Sequence, residues 1–229
     1  WGIDWSFFVD GLPKPTATNP ALHGAPPVLP QPGYRIDALL TDPLSDLPEF
    51  FKETDAAGPA GSPIGNLAFR NLQRGDSLGL PSGEQVARAL GIVPMAPDVI
   101  WGAGSRLLDE SVLEDEEKES LAETRAARAD VRARFAGPGG PLSANTPLWF
   151  YVLREAEHFG VTHVQDDSAI GLGGQHLGPV GSRIVAETLI GLLWTDTDSI
   201  LHHPEFRPHP ATMQAGKLTL GSLLAFALG

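Results

Sequence analysis

The chain has 229 residues and no Cys, and its 28 Asp and Glu against 16 Lys and Arg give a net charge of -12 at pH 7. This length fits one large domain or two small ones and is enough to bury a substantial core. The absence of Cys excludes disulfide scaffolds, thiolate zinc sites, cysteine nucleophiles and iron–sulfur clusters. The acidic balance disfavours nucleic-acid binding and docking on anionic membranes, because phosphate contacts need clustered Lys and Arg.

The chain begins at Trp1, without an initiator Met and without the basic and apolar regions of a signal peptide. We therefore expect it to start inside a longer polypeptide. The most apolar stretch, residues 184–194, is too short to span a bilayer and contains Glu187, so no membrane span is predicted.

The N-terminal region is rich in Pro. Residues 11–33 contain seven Pro and no apolar periodicity, which is typical of a linker or of an extended segment on a surface. Further along the chain, Ser82–Gln85 has the form of a capping box and Gly91 follows an amphipathic stretch, which predicts a short helix between them.

Residues 109–134 combine an acidic run with later, spaced arginines. The acidic residues lie toward the N-terminal end and the basic residues toward the C-terminal end, as the helix dipole favours. The pattern therefore predicts a solvent-exposed helix. Binding of a partner is the alternative role. Gly and Pro at residues 137–141 then separate this helix from the next one.

Three helices are predicted after this break, and no alternating run predicts a strand. Thr146 is expected to cap the first of them, with Pro147 at its first position and Gly160 after its end. Its apolar residues fall on one broad face: Leu148, Trp149, Val152, Leu153, Ala156 and Phe159. Residues 179–194 have apolar side chains on more than one face, which predicts a helix buried nearly all round and central to the core. Thr219 caps the last predicted helix.

The histidines are the usual candidates for a metal site or an acid–base group. They lack the i, i+4 spacing that places two ligands on one helix face, and adjacent histidines point apart in regular structure. We therefore expect surface or turn positions for these side chains: His158, His163, His176, His202 and His203.

Residues 67–83 predict a short helix that carries an amide and two cations and is followed by a glycine turn. Asn71 and Arg74 are three residues apart and therefore share a helix face. An amide and a guanidinium on one face can orient an imidazole and clamp a carboxylate. On composition alone, a structural role is favoured.

The string from Arg70 to Gly75, followed by Leu78 to Gly83, closely resembles the Asn-x-x-Arg-Gly and Gly-Leu-Pro signature of the animal haem peroxidase superfamily, in its bacterial branch. Other segments before and after this string occur in the family's order, so the resemblance extends over nearly the whole chain. It is weakest over residues 102–140. These segments are Ile3–Phe8, Arg35–Asp37, Asp42–Leu44, Thr146–Tyr151, Leu177–Glu187 and Leu223–Phe226.

The resemblance implies a mainly α fold, the C-terminal helical part of the animal-type haem peroxidase fold, with long irregular Pro- and Gly-rich connections and little or no sheet. Residues 1–229 would then be the C-terminal portion of a single catalytic domain. Its expected divisions are an irregular lead-in (1–62), haem-proximal helices (63–100), a charged insertion and linker (101–145) and core helices (146–229).

The resemblance also assigns roles to four residues of the signature. Asn71 matches the asparagine that accepts a hydrogen bond from the far ring nitrogen of the proximal haem-ligating histidine, and so fixes its tautomer. Arg74 matches the arginine that pairs with a haem propionate. Leu67 falls where an apolar residue of the family packs near the haem. Arg70 falls at a neighbouring position of the haem pocket, and the resemblance implies no single role for it.

The family's proximal histidine, distal acid–base residues and calcium-binding loop all precede the part that this chain matches. The resemblance therefore implies haem as cofactor, with its iron ligand, and any calcium, in an N-terminal part that is a separate chain or a preceding segment. The implied activity is peroxide reduction coupled to oxidation of a halide or small organic donor, with no turnover by this chain alone. Such relatives favour an extracellular or periplasmic location.

Two alternatives stay open. A fatty-acid dioxygenase of the same superfamily would need a radical-forming tyrosine, and the chain offers only Tyr34 and Tyr151. A haem-free structural or adhesive protein that retains the fold is the other alternative, supported by the absence of a matching iron ligand in this sequence.

Overall fold

In a computed structural model of the chain, the described residues are Trp5, Val9, 35–40, 42–45, 47, 65–161 and 173–228. The Pro-rich residues 11–33 lie outside them, as do most of the segment Ile3–Phe8, Tyr34 and His163. The chain is mainly α-helical, which confirms that part of the prediction. It divides into two compact units, of which one is Arg35–Leu189 and the other includes Ile190–Gly229.

The unit Arg35–Leu189 contains the helices that surround the candidate site. These are α1 (Asp42–Ser45), α2 (Leu67–Ser77), α3 (Gly83–Ala89), α4 (Pro97–Ile100), α5 (Asp115–Val131), α6 (Leu148–Phe159) and most of α7 (Pro179–Thr195). A 3-10 turn, Glu110–Val112, precedes α5, and a π-helical turn, Arg132–Ala136, continues it.

The other unit contains the end of α7, two 3-10 turns, a hairpin and the last helix. The turns are Ile200–His202 and Pro210–Thr212, the antiparallel strands are β1 (Met213–Gln214) and β2 (Lys217–Leu218), and the helix is α8 (Leu220–Leu228). Ala215 and Gly216 both have positive φ, of 49° and 76°, as a two-residue hairpin turn of the primed type requires. Among the described residues this hairpin is the whole sheet.

Local capping fixes where three of the helices begin. The Asn66 side chain accepts from the Phe69 N–H at 2.9 Å at the start of α2. Ser82 and Gln85 form the predicted capping box of α3, and Gly91, with φ of 71°, follows its end. Thr219 and Ser222 exchange side-chain and backbone hydrogen bonds at the start of α8, so Thr219 caps this helix as predicted.

The core of the larger unit forms where α3, α4 and α6 meet the start of α7. Its buried members are Ala87, Met95, Ile100, Trp101, Ala136, Tyr151 and Val180. The Tyr151 ring lies directly against Gly83, and the Tyr151 hydroxyl accepts from the Met95 N–H at 2.9 Å. The large buried ring therefore has its one polar atom satisfied, as burial of a tyrosine requires.

The structure confirms the helix predicted as α6 and its end before Gly160, whereas the predicted cap is wrong. Thr146 does not cap the helix, because its hydroxyl donates to the Glu84 carboxylate, and α6 begins at Leu148 after Pro147. The expected broad apolar face is mostly half-exposed, and the helix instead buries Tyr151, Ala156 and three charged residues: Arg154, Glu155 and Glu157. Burial of these charges is possible because each has hydrogen-bond partners.

The helix predicted over residues 179–194 is present as α7, but its predicted burial is wrong. Only Val180 and Gly181 are buried, near its start. Large apolar side chains are exposed beyond Ile184: Val185, Leu189, Ile190, Leu192, Leu193 and Trp194. Composition predicted a core position, but no part of the chain that the structure describes covers these side chains.

The charged helix α5 is mostly exposed, as predicted, with its acidic first turn and basic last turn. Leu121 and Arg128 are the exceptions, since both are buried. Arg128 was expected among the solvent-exposed arginines, and its burial follows from an ion pair with Glu157 on α6.

We predict that Gly83→Ala destabilises the protein, against the usual helix preference for Ala over Gly. A Cβ at this position would overlap the Tyr151 ring, and overpacking of this kind costs about 1–3 kcal/mol. Gly75→Ala on α2 is the matched control. Its Cβ would meet only Leu80, at 3.7 Å, so it should gain about 0.5–1 kcal/mol. Urea unfolding should show a lower free energy of unfolding for Gly83→Ala and a higher one for Gly75→Ala than for the wild type. The same change in both variants would contradict the packing of Gly83 against Tyr151.

Candidate functional site

Helix α2 brings together the residues of the signature. Leu67, Asn71 and Arg74 are spaced by three and four residues and therefore lie along one side of the helix, and Arg70 flanks them. None of the residues of α2 is fully buried. Leu67 and Asn71 are half-buried, whereas Arg70 and Arg74 are exposed.

Asn71 lines a groove of about 190 Å³ between α2 and the start of α6. Leu72, Gly75 and Asp76 contribute to the same side of the groove. The segment that enters α6 provides the other side, from Asn145 to Trp149, and residues 80–82 with Leu142 complete the lining. The groove therefore combines amide, carboxylate and aromatic groups around Asn71.

The side chains of Asn71 and Arg74 have no hydrogen-bond or ion-pair partner within the part of the chain that the structure describes. The Asn71 amide can both donate and accept, and the Arg74 guanidinium offers five N–H donors. The two side chains are thus available to a ligand or partner, and their chemistry suits an imidazole N–H and a carboxylate respectively.

A second cluster of charged residues lies at the other end of α6. Arg128 donates to both carboxylate oxygens of Glu157, at 3.2 and 2.9 Å, and to the Gly102 carbonyl at 2.5 Å. Arg154 donates to the carbonyls of Gly102 and Gly104, at 3.0 and 3.1 Å. The Gly104 N–H donates to Glu157 at 2.7 Å. This network, the Glu157 cluster, fixes loop 102–104 against α5 and α6.

The Glu157 cluster alters the titration of nearby groups. Burial lowers the pKa of Arg154 to about 10, with Glu157 opposing the shift, so Arg154 is still charged at neutral pH. Burial also raises the pKa of Asp37, which lies near Glu157 and Arg128. Neither Glu157 nor Arg154 was predicted as a functional or structural site from the sequence. Their opposite charges, three residues apart within an otherwise apolar helix, are the feature of the sequence that could have indicated a buried ion pair.

Glu155 acts at the junction of α6 and α7. One of its carboxylate oxygens accepts from the N–H groups of Val180 and Gly181, at 2.8 and 3.1 Å, at the start of α7. Burial raises the Glu155 pKa, and the two backbone N–H groups oppose the shift. Because it accepts from backbone N–H groups of the first turn that have no partner within the helix, Glu155 anchors α7 to α6.

The histidines do not assemble a metal site within the described residues, where no group of three or more His, Asp or Glu is suitably placed. His202 lies beside the Trp194 carbonyl and His203 beside Glu205, both exposed. His176 is also exposed, next to the Leu177 carbonyl. These three positions agree with the expected surface and turn histidines, whereas His158 lies within α6 and is half-buried, contrary to that expectation.

Tyr151 is the one tyrosine among the described residues. It is fully buried, and burial raises its pKa. Its hydroxyl serves the Met95 backbone, so its observed contacts are those of a core residue.

No protein-family profile, curated protein or solved structure matches this chain. Among the described helices, none has the length and apolar character needed to cross a membrane.

We predict that Glu157→Gln destabilises the fold strongly, by about 3 kcal/mol, because it leaves the buried Arg128 and Arg154 without their counter-charge. Glu110→Gln is the matched control. It breaks the exposed pair with Arg125 and should leave the unfolding midpoint almost unchanged. Denaturant unfolding at neutral pH distinguishes the two, and a small effect of Glu157→Gln would contradict the assigned role.

We predict that the titration of His158 lowers the free energy of unfolding as the pH falls from 6.5 to 4. Burial, with Arg154 and Arg106 nearby, lowers the pKa of His158 to about 4. Between these pH values the unfolded chain binds a proton that the folded chain does not, so stability falls with pH. His158→Gln should lose less stability than the wild type between pH 7 and pH 4.5 in urea unfolding. Equal losses would show that His158 titrates normally.

Proposed function

We propose that this chain is the C-terminal part of a haem peroxidase and supplies the protein groups next to the proximal histidine. The resemblance of residues 70–83 to the peroxidase signature is the main support. The observation that carries the proposal further is the arrangement on α2, where the Asn71 and Arg74 side chains share a face and have no partner among the described residues.

The available groups fit haem in their chemistry. A haem needs apolar surface for its ring, cationic donors for its propionates and a hydrogen-bond acceptor behind its axial histidine. Leu67, Arg74 and Asn71 offer these three functions on one side of α2. Helix α2 and the turn after it also expose apolar side chains that a cofactor and a further protein segment can cover: Phe69, Leu72, Leu78 and Leu80.

Each of these residues would have a defined task. The Asn71 side-chain oxygen accepts the distant N–H of the imidazole, which holds the ring in one tautomer and one orientation. Arg74 binds a propionate through its planar N–H donors. Arg70 adds positive charge beside it. Bound haem would supply the redox chemistry that couples peroxide reduction to oxidation of a halide or small organic donor.

The proposal assigns the axial histidine, the distal acid–base groups and any calcium site to an N-terminal part, as a separate chain or a preceding segment. The groups that select the small-molecule donor belong to that part as well. This chain then has a supporting role: it holds and orients the ligand histidine and excludes water from its far side.

The test is Asn71→Ala in the complete protein that contains this chain. The variant should keep its fold while its haem absorption spectrum changes, and its peroxidase turnover should fall by about 10- to 100-fold. Gln73→Ala is the matched control, because Gln73 is an exposed amide residue about 200° around the same helix from Asn71.

The Gln73→Ala protein should have the spectrum and rate of the wild type. An Asn71→Ala protein with an unchanged spectrum and rate would overturn the assignment of Asn71. A complete protein that binds no haem would overturn the proposal as a whole and favour the haem-free structural alternative.

A further inference from the structure

The side of the groove that α6 provides is not positioned by α6 itself. Pro147, which precedes the helix, makes no side-chain capping hydrogen bond. Thr146 lies immediately before it, is 1% exposed, and lines the groove together with Asn71. The position of this segment must therefore be fixed from another element.

That element is the first turn of α3. The Thr146 N–H donates to one carboxylate oxygen of Glu84 at 2.9 Å, and the Thr146 hydroxyl donates to the other at 2.6 Å. The Thr146 carbonyl accepts from the Gly83 N–H at 2.9 Å. All three polar groups of Thr146 are thus held by two consecutive residues of α3.

The first turn of α3 is itself rigid. Ser82 and Gln85 close its capping box with hydrogen bonds of 2.9 and 3.3 Å, and Gly83 lies against the Tyr151 ring. Glu84 is 4% exposed and occupies the second position of the helix, where the dipole favours a negative charge. Loss of either partner would leave buried polar groups of the other unsatisfied.

Asn71 lines the same groove as Thr146 and has no hydrogen-bond partner of its own in the described part of the chain. With no internal hydrogen bond to select its rotamer, the amide takes the orientations that the walls of the groove leave open.

We infer that Glu84 is a positioning residue, which holds Thr146 and through it fixes the groove so that the Asn71 amide is oriented to accept a hydrogen bond. This inference rests on the proposed function for the identity of the group that Asn71 binds. The orientation of Asn71 itself is a property of this chain and can be measured without haem.

The experiment records the side-chain amide signals of Asn71 in ¹H–¹⁵N spectra of the full chain, assigned with Asn71→Gln. Thr146→Val removes the hydroxyl at nearly constant shape, and the Asn71 signals should shift or broaden. Thr146→Ser keeps the hydroxyl, so the Asn71 signals of this variant should match those of the wild type. Glu84→Met keeps the length of the side chain but offers neither donor of Thr146 a strong acceptor, so it should act like Thr146→Val, which covers the case in which the valine variant does not fold.

Tyr151→Phe is the control for a purely structural effect, because it removes a different buried hydrogen bond, that to the Met95 N–H. It should lower stability and leave the Asn71 signals in place. Unchanged Asn71 signals in Thr146→Val and Glu84→Met, or equal changes in Tyr151→Phe, would overturn the positioning role. Failure of the complete protein to bind haem would instead overturn the proposed function, whatever the spectra show.

Discussion

The buried ion pair between Arg128 and Glu157 joins α5 to the C-terminal end of α6, and the packing of these helices within the larger unit depends on it. Both side chains are 8% exposed, so neither charge is stable there without the other. The same carboxylate accepts from the Gly104 N–H, and the Gly102 carbonyl accepts from both Arg128 and Arg154. One carboxylate thus connects two helices and the loop between α4 and α5.

Carboxylates make the equivalent contacts elsewhere along α6. Glu155 binds the first turn of α7, and Glu84 on α3 binds Thr146 just before α6 begins. Helix α6 is therefore fixed at its start, its middle and its end by directional hydrogen bonds, in addition to the apolar contacts around Tyr151. Directional contacts set the rotation and the register of a helix more narrowly than apolar packing does. The groove beside Asn71 lies between this fixed helix and α2, which explains how an exposed helix can present a defined site.

The features that were predictable from the sequence are those that neighbouring residues determine. The capping box at Ser82, the glycine turn after α2 and the cap at Thr219 depend on residues within one turn of each other. The burial of Arg154 and Glu157 was not predictable in this way, because it depends on Arg128 and on loop 102–104, far away in the sequence. The exposure of α7 after Val185 was missed for the same reason, since periodicity reports which residues are apolar and not what covers them. For the candidate site, the motif located Asn71 and Arg74 on one helix, but the contribution of Glu84 and Thr146 required their hydrogen bonds.

We propose that α2 and the groove beside it form part of a haem site, which an N-terminal part of the same protein completes. The most direct test is the absorption spectrum of the purified complete protein, measured together with its intact masses. We expect a Soret band, and either a partner chain or a longer polypeptide that carries the axial histidine. A pure 229-residue chain, stable and free of haem when isolated from its native source, would contradict it.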